Sequence, residues 1–265
     1  MTRPRRRAPQ AGPGWPETLW LVRHGQSAGN VARQAAEAGQ LSVIDVPTSD
    51  MYTPLSALGQ RQALALGQWF GALPPDQRPD ALLCSPYRRA RDTARLILEG
   101  GQLDLPLTAI RADERLREKE FGIVDRLTAQ GIRERYPALY EQREHVGKFY
   151  FRPPGGESWC DVILRLRSVV DTLSREQAGA RLLLVAHEVI VTCFRYLLEA
   201  MDEETVLALD RAGDVPNCGV TCYQNRGGGP VRPPLTPTLA NHVAPLEAGG
   251  AVVTREADRP AAPKS

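Results

Sequence analysis

No stretch of the 265 residues approaches the run of about 20 apolar side chains that a bilayer-spanning helix needs. Charge of one sign is not in excess either. Lys and Arg number 33 against 31 Asp and Glu, and a net charge of +2 excludes a dedicated nucleic-acid binder. Cysteine is sparse and odd in number: Cys84, Cys160, Cys193, Cys218 and Cys222. Cys218 and Cys222 have no second Cys/His pair to complete a zinc set, which leaves buried, reduced thiols of a cytoplasmic protein as the reading. The Arg3, Arg5, Arg6 and Arg7 cluster is followed by no apolar core of a secretory signal. It fits a transit peptide or a nucleic-acid arm, and fits a solvated tail better.

Several catalytic motifs are missing as well. His187-Glu188 opens like a zincin helix, but Val191 stands where the second histidine ligand would be. Gly147-Lys148 runs into Phe149 and lacks the upstream glycine of a nucleotide-binding loop, and no G-x-G-x-x-G or G-x-S-x-G follows a strand.

What is present is ordinary globular composition, 42% hydrophobic and 24% charged, in a length that suits one α/β domain with insertions. Short apolar runs predict strands at Leu19–Val22, Ala81–Cys84, Leu107–Ile110, Arg181–Ala186 and Val220–Tyr223, the last closing the sheet. Helical spacing predicts helices near Val31–Ala38, from Ser56 to about Phe70, from Ser85-Pro86 to about Glu99, from Ser158 to Leu173 and over Val189–Ala200. Ser85 reads as the cap of the third of these and Pro86 as its first helical residue. Strands alternating with helices argue for a three-layer αβα sandwich around a mostly parallel sheet. Residues 1–16 read as a basic, Pro-rich tail and 17–225 as the domain, with insertions at about 31–54 and 112–158. Residues 226–265 read as a Pro/Gly-rich tail, its last 35–40 residues loosely packed or disordered.

In open α/β sheets, ligands bind beyond the carboxyl ends of the strands. The first strand delivers Arg23 and His24 there, the second Ser85 and the turn Tyr87-Arg88-Arg89, and the fourth His187. His145 and His242 read as structural histidines. Arg88, Arg91 and Arg95, spaced three and four apart, read as the solvated stripe of a helix, whereas Arg89 points off it. Two histidines and two arginines converging on one point form a site for a phosphate dianion, because guanidinium groups match phosphate oxygens bidentately. A histidine inside such a cage can attack phosphorus.

These residues resemble the histidine phosphatase superfamily, the phosphoglycerate-mutase-like proteins. Arg23-His24-Gly25-Gln26-Ser27-Ala28-Gly29-Asn30 is similar to its RHGxSxxN signature, and Leu55 to Ala63 to its LTxxGxxQA helix start. Ser85 to Ala94 is similar to SPxxRAxxTA and Leu116 to Gly122 to the acid-bearing LxExxxG segment. Gly155-Gly156-Glu157-Ser158 and Val185-Ala186-His187 match two later blocks, in the family's order over about residues 18–223. The resemblance implies a phosphoglycerate mutase-like fold with His24 as nucleophile and transient phosphohistidine. It implies that Arg23, Arg89 and His187 hold the phosphoryl oxygens and that Asn30 helps. Glu118 would protonate the leaving oxygen and then deprotonate water, a task that needs a raised pKa.

Glu188 stands where the family often has Gly. Phe121 and Ala129 replace the Tyr and Lys of the glycolytic mutases, and their paired substrate arginines have no match between Arg143 and Arg152. The expectation is therefore a metal-independent, cytoplasmic phosphatase for a phosphorylated small molecule, with no cofactor and no nucleic-acid or membrane partner. A phosphomutase and a non-catalytic phospho-ligand-binding module are the alternatives. Lys148, Tyr150 and Arg152 are the expected specificity contacts.

Overall fold

The computed structural model describes residues 14–227 and 234–256. Within them the strands are β1 (Thr18–Arg23), β2 (Ala81–Cys84), β3 (Ile110–Ala112), β4 (Arg181–Ala186), β5 (Val220–Asn225) and β6 (Leu235–His242). The helices are α1 (Ala28–Ala38), α2 (Ala57–Ala72), α3 (Arg88–Gly101), α4 (Ala129–Arg135), α5 (Pro137–Val146), α6 (Trp159–Glu176), α7 (Glu188–Leu198), α8 (Glu203–Ala212) and α9 (Ala244–Ala248).

One sheet in the order β3-β2-β4-β1-β5-β6 forms the middle layer. Its first four strands run parallel, and β5 and β6 add an antiparallel flank. β1 is buried along its whole length because successive side chains point to opposite faces and both faces are covered. Leu19 and Leu21 pack with Leu184, Leu166, Val169 and Phe194 under α6 and α7. Trp20 and Val22 pack with Val185, Leu66, Phe70 and Ile97 under α2 and α3. The last two helices lie close together. A Cβ on Gly67 would come within 2.5 Å of the Ile97 carbonyl oxygen, so only glycine allows this approach.

Local expectations fail at three places. Ser85 does not cap α3, which starts at Arg88 behind Tyr87; the Ser85 hydroxyl instead meets the Tyr87 N–H and His187. Leu107–Ala109 forms a 3-10 turn and the strand begins at Ile110, because Pro106 delays entry into the sheet. The largest correction concerns the C-terminal tail. Residues 234–256 are packed: β6 pairs with β5, and Leu246 of α9 is fully buried against α2. The apolar side chains that achieve this are scattered among Pro, Thr and Ala, so composition hid them. β5 is therefore not the edge of the sheet. Residues 228–233 and 257–265 of that tail, and 1–13 of the N-terminal one, lie outside the described residues. Trp15 already packs on the core.

Candidate active site

The sheet order sets the site. β2, β4 and β1 are adjacent, so the residues just beyond their carboxyl ends stand side by side. The Ser85 N–H donates to the Val185 carbonyl (2.9 Å) and the His24 N–H to the Ala186 carbonyl (2.9 Å), extending the parallel ladder by one step. The rings of His24 and His187 consequently meet edge to face with centroids 5.2 Å apart, and both residues are fully buried.

His24 is held in one tautomer. Its Nδ1 lies 2.7 Å from the Gly25 carbonyl oxygen, which can only accept, so Nδ1 carries the proton and Nε2 keeps its lone pair. Arg89 Nε donates to that Nε2 at 3.1 Å. The loop beneath the ring is fixed from several sides. The Gly25 N–H donates to Thr93 Oγ1 (3.0 Å), which donates to the Arg89 carbonyl (2.7 Å), and Asn217 Nδ2 donates to the His24 carbonyl (3.1 Å). Gly59 makes room for this loop, since a Cβ there would lie 2.0 Å from the Gln26 carbonyl oxygen.

His187 Nε2 is 2.8 Å from Ser85 Oγ, and its Nδ1 is 4.0 Å from Glu118 Oε2. Glu118 is 1% exposed, and its Oε1 accepts the Lys119 N–H at 2.7 Å. The segment carrying it is tied down by Glu157, whose carboxylate takes the Glu120 N–H (3.0 Å) and pairs with Arg165 (2.9 Å). Burial works to raise the Glu157 pKa, but the hydrogen bonds and charge of Arg165 prevail and hold it low. Tyr87 packs on His187 and donates to Glu120 at 2.9 Å; burial, then the Glu120 charge, pushes its phenol pKa up.

The two arginines complete the cage. Arg23 is fully buried; Nη1 donates to the Val215 carbonyl at 2.5 Å and Nη2 to the Glu256 carbonyl, with Glu188 Oε2 3.9 Å away. Asn30 accepts the Ser27 N–H on its Oδ1 (2.8 Å) and donates from Nδ2 to the same Glu256 carbonyl (3.3 Å). Arg89 donates from both terminal nitrogens to the Asp50 carboxylate, at 3.0 and 3.2 Å. The structure thus brings together Arg23, His24, Asn30, Arg89, Glu118 and His187. Asp50, Asn217 and Glu256 went unread in the sequence: none belongs to a strand end, and their partners lie far along the chain. Thr93 stands in the SPxxRAxxTA segment but carried no role there.

A pocket is lined by Lys119 and Arg143 together with Phe121, Ile132, Leu139 and Phe151; Lys119 follows Glu118 in the chain, but Glu118 itself is not among the lining residues. Burial pushes the Lys119 pKa down to about 8, partly opposed by Glu118 and Glu157, and its Nζ sits 4.3 Å from the Phe121 ring centre. Burial also lowers the Arg143 pKa. Lys148 pairs with Asp210 and lies over the Trp159 ring. Arg152 pairs with Asp161 (2.7 Å) at the start of α6, and Tyr150 is 55% exposed. The buried Cys84 thiol at the end of β2 has its pKa raised to about 11, which keeps it protonated. No helix among the described residues is long and apolar enough to cross a membrane, and none of their His, Cys, Asp and Glu side chains form a cluster placed to hold a metal ion.

The family model described as histidine phosphatase superfamily (branch 1) matches residues 19–232. Phosphoglycerate mutase-like protein AT74H of Arabidopsis thaliana is 29% identical over 221 residues, covering 77% of this chain and 72% of that protein. A 6-phosphofructo-2-kinase/fructose-2,6-bisphosphatase of Caenorhabditis elegans is 32% identical over 179 residues, 67% of this chain but only 33% of the relative. The chain thus spans about a third of the length of that relative. Among solved structures, mycobacterial glucosyl-3-phosphoglycerate phosphatase Rv2419c with inorganic phosphate superposes with a TM-score of 0.63 at 25% identity, over 86% of this chain and 99% of that one. Bacillus stearothermophilus YhfR shares the fold, with a TM-score of 0.65 at 24% identity over 86% of this chain and 98% of that one. With the motifs in order, the strand ends converging and the family model spanning most of its length, this chain belongs to the histidine phosphatase superfamily, branch 1.

Proposed function

We propose that this protein is a phosphomonoesterase that works through a phosphohistidine at His24 without a metal ion. The observation that carries the reading is the His24 tautomer. A ring pinned at Nδ1 keeps its lone pair on Nε2, where Arg89 Nε engages it in this structure, among two buried arginines and a second histidine. The attack requires that Arg89 turn from the ring to the phosphoryl oxygens. In the first step Nε2 attacks phosphorus, the P–O bond to the leaving group breaks, and the Glu118 carboxyl gives its proton to the departing oxygen. Arg23, Arg89 and His187 stabilise the charge spread over the equatorial oxygens. In the second step the Glu118 carboxylate takes a proton from water, the water oxygen attacks phosphorus, and the P–N bond returns its electron pair to Nε2.

The pocket lined by Lys119, the residue after Glu118, and Arg143 is the candidate place for the distal part of a leaving alcohol. Its lining supports an alcohol that carries an apolar portion and a second anionic group facing Lys119 and Arg143. Lys148 and Arg152, held by Asp210 and Asp161, would act at its margin.

The test is phosphate release from an aryl phosphate in the presence of EDTA, comparing wild type with His24→Ala. Turnover by wild type and none by the variant is expected. Activity surviving in His24→Ala refutes the nucleophile, activity abolished by EDTA refutes metal independence, and an isomer in place of free phosphate makes the protein a mutase.

A further inference from the structure

The phosphoryl pocket already holds part of this chain. After α9 the backbone runs back toward the carboxyl ends of the strands and is pinned at each step. Gln62 Nε2 donates to the Val252 carbonyl (2.8 Å) and to Thr254 Oγ1 (2.9 Å). The Asn217 N–H donates to the Thr254 carbonyl (2.9 Å), while the Asn217 side chain holds the His24 carbonyl (3.1 Å). The run ends with the Glu256 carbonyl oxygen on Arg23 Nη2 and Asn30 Nδ2, and with Glu256 Oε1 3.2 Å from Gln26 Nε2. Arg23 and Asn30 are the donors that the reading above gives to phosphoryl oxygens.

We infer that residues 251–256 are an internal competitor for the phosphoryl pocket, a strap whose Glu256 carbonyl takes the Arg23 and Asn30 donors and must lift before a phosphate group can bind. The inference rests on the pocket being a phosphate site, as proposed above, and goes beyond that reading in assigning the segment a regulatory role.

Two features suit a contact built to be exchanged. Its anchor is permanent: Leu246 is fully buried and Ala251 is 7% exposed, so the strap stays tethered when its tip leaves. Its tip is incompletely satisfied, because Glu256 Oε2 is buried and has no hydrogen-bond partner among the described residues. A neutral carbonyl is also a weaker partner for a guanidinium than a phosphate dianion, whose bonds are charge-assisted at both ends. Gln62 and Asn217 connect the strap to the helix and loop that seat His24, so lifting it reaches the nucleophile as well as the anion site.

The test uses inorganic phosphate as the probe, measured by calorimetry on wild type, on Glu256→Ala and on a variant ending at Thr254. If the strap is docked in about nine molecules of ten, removing its tip tightens phosphate binding about tenfold, since apparent affinity scales with the open fraction. Glu256→Ala keeps the carbonyl and loses only the carboxylate anchor, so its gain is smaller and in the same direction. Saturating phosphate should also speed hydrogen exchange of residues 252–256 in the wild type while β6 and α9 stay protected. Phosphate affinity unchanged or weakened in the shortened variant overturns the inference, as does exchange that phosphate leaves alone or slows. Aryl phosphate turnover, run in parallel, separates the two readings. Normal turnover with an unchanged phosphate affinity overturns only the strap, whereas a wild type that neither binds phosphate nor turns over overturns both.

Discussion

Lys119 offers a quantitative test, because it places a charge where the fold disfavours one. A lysine in water titrates near 10.5, and burial brings this one to about 8. At about 1.36 kcal/mol per unit, the difference of roughly 2.5 units means that the protonated side chain costs the folded state about 3 kcal/mol at pH 7. Lys119→Met keeps the volume and removes the charge. The contact of the ammonium with the Phe121 ring belongs to the charged form and is already contained in the shifted pKa, so the gain is about 3 kcal/mol. For a chain of this size that raises Tm by about 6–12 °C. The sign with pH follows from proton counting. Between about 8 and 10.5 the unfolded chain still holds the Lys119 proton and the folded protein does not, so wild-type stability rises with pH across that window. The advantage of the variant should be complete at pH 7 and fall below about 1 kcal/mol by pH 10. Urea unfolding of both proteins at the two pH values is the assay. A Lys119→Met protein no more stable than wild type at pH 7, or a gap of constant size, refutes the argument. A stability gain accompanied by a raised KM for substrates with a second anionic group, and an unchanged KM for a plain aryl phosphate, would show why a destabilising lysine stands there.

Gly59→Ala drives a methyl group to 2.0 Å from the Gln26 carbonyl oxygen and should lower stability by about 3 kcal/mol, read by thermal unfolding; a wild-type Tm would mean that the loop yields freely. Ser85→Ala removes the partner of His187 Nε2 and should lower kcat about a hundredfold, far more than it alters KM, so an unchanged kcat would show that Ser85 does not orient the ring. Leu246→Ala opens a cavity under α9 and should cost about 2–5 kcal/mol in a denaturant titration. A loss below about 0.5 kcal/mol would return the C-terminal segment to the status of a loose tail.

The strand ends were legible because a strand buried on both faces needs a continuous apolar run, and the polar residue that breaks the run must lie at the rim where ligands bind. Arg23, His24 and His187 announce themselves in that way. Arg89 was legible for a second reason, standing off the solvated stripe of its own helix. Glu118 was not visible to such reasoning, since it sits in a charged stretch from Asp113 to Glu120 and only the motif singled it out. What remained hidden depends on contacts across the chain. Asp50 reaches Arg89 from 39 residues away and Glu256 reaches Arg23 from 233, and no local pattern encodes either meeting. Ser85 misled for the opposite reason: Ser-Pro is a good local helix start, and the His187 ring outbid the helix for its hydroxyl.

The order of the strands has a consequence for how the chain is made. β1 and β2 never touch; β4 lies between them and pairs with both, with Leu19 beside Leu182 and Leu82 beside Leu183. As the chain leaves the ribosome, two apolar strands therefore wait through the synthesis of about a hundred further residues before the one that joins them appears. Until Arg181–Ala186 has emerged there is no central sheet for α2 and α3 to cover, and His24 has no Ala186 carbonyl to align it. Ribosome-bound chains cut short before β4 should be ready clients of chaperones that grip exposed apolar segments, and chains extended past β5 should not.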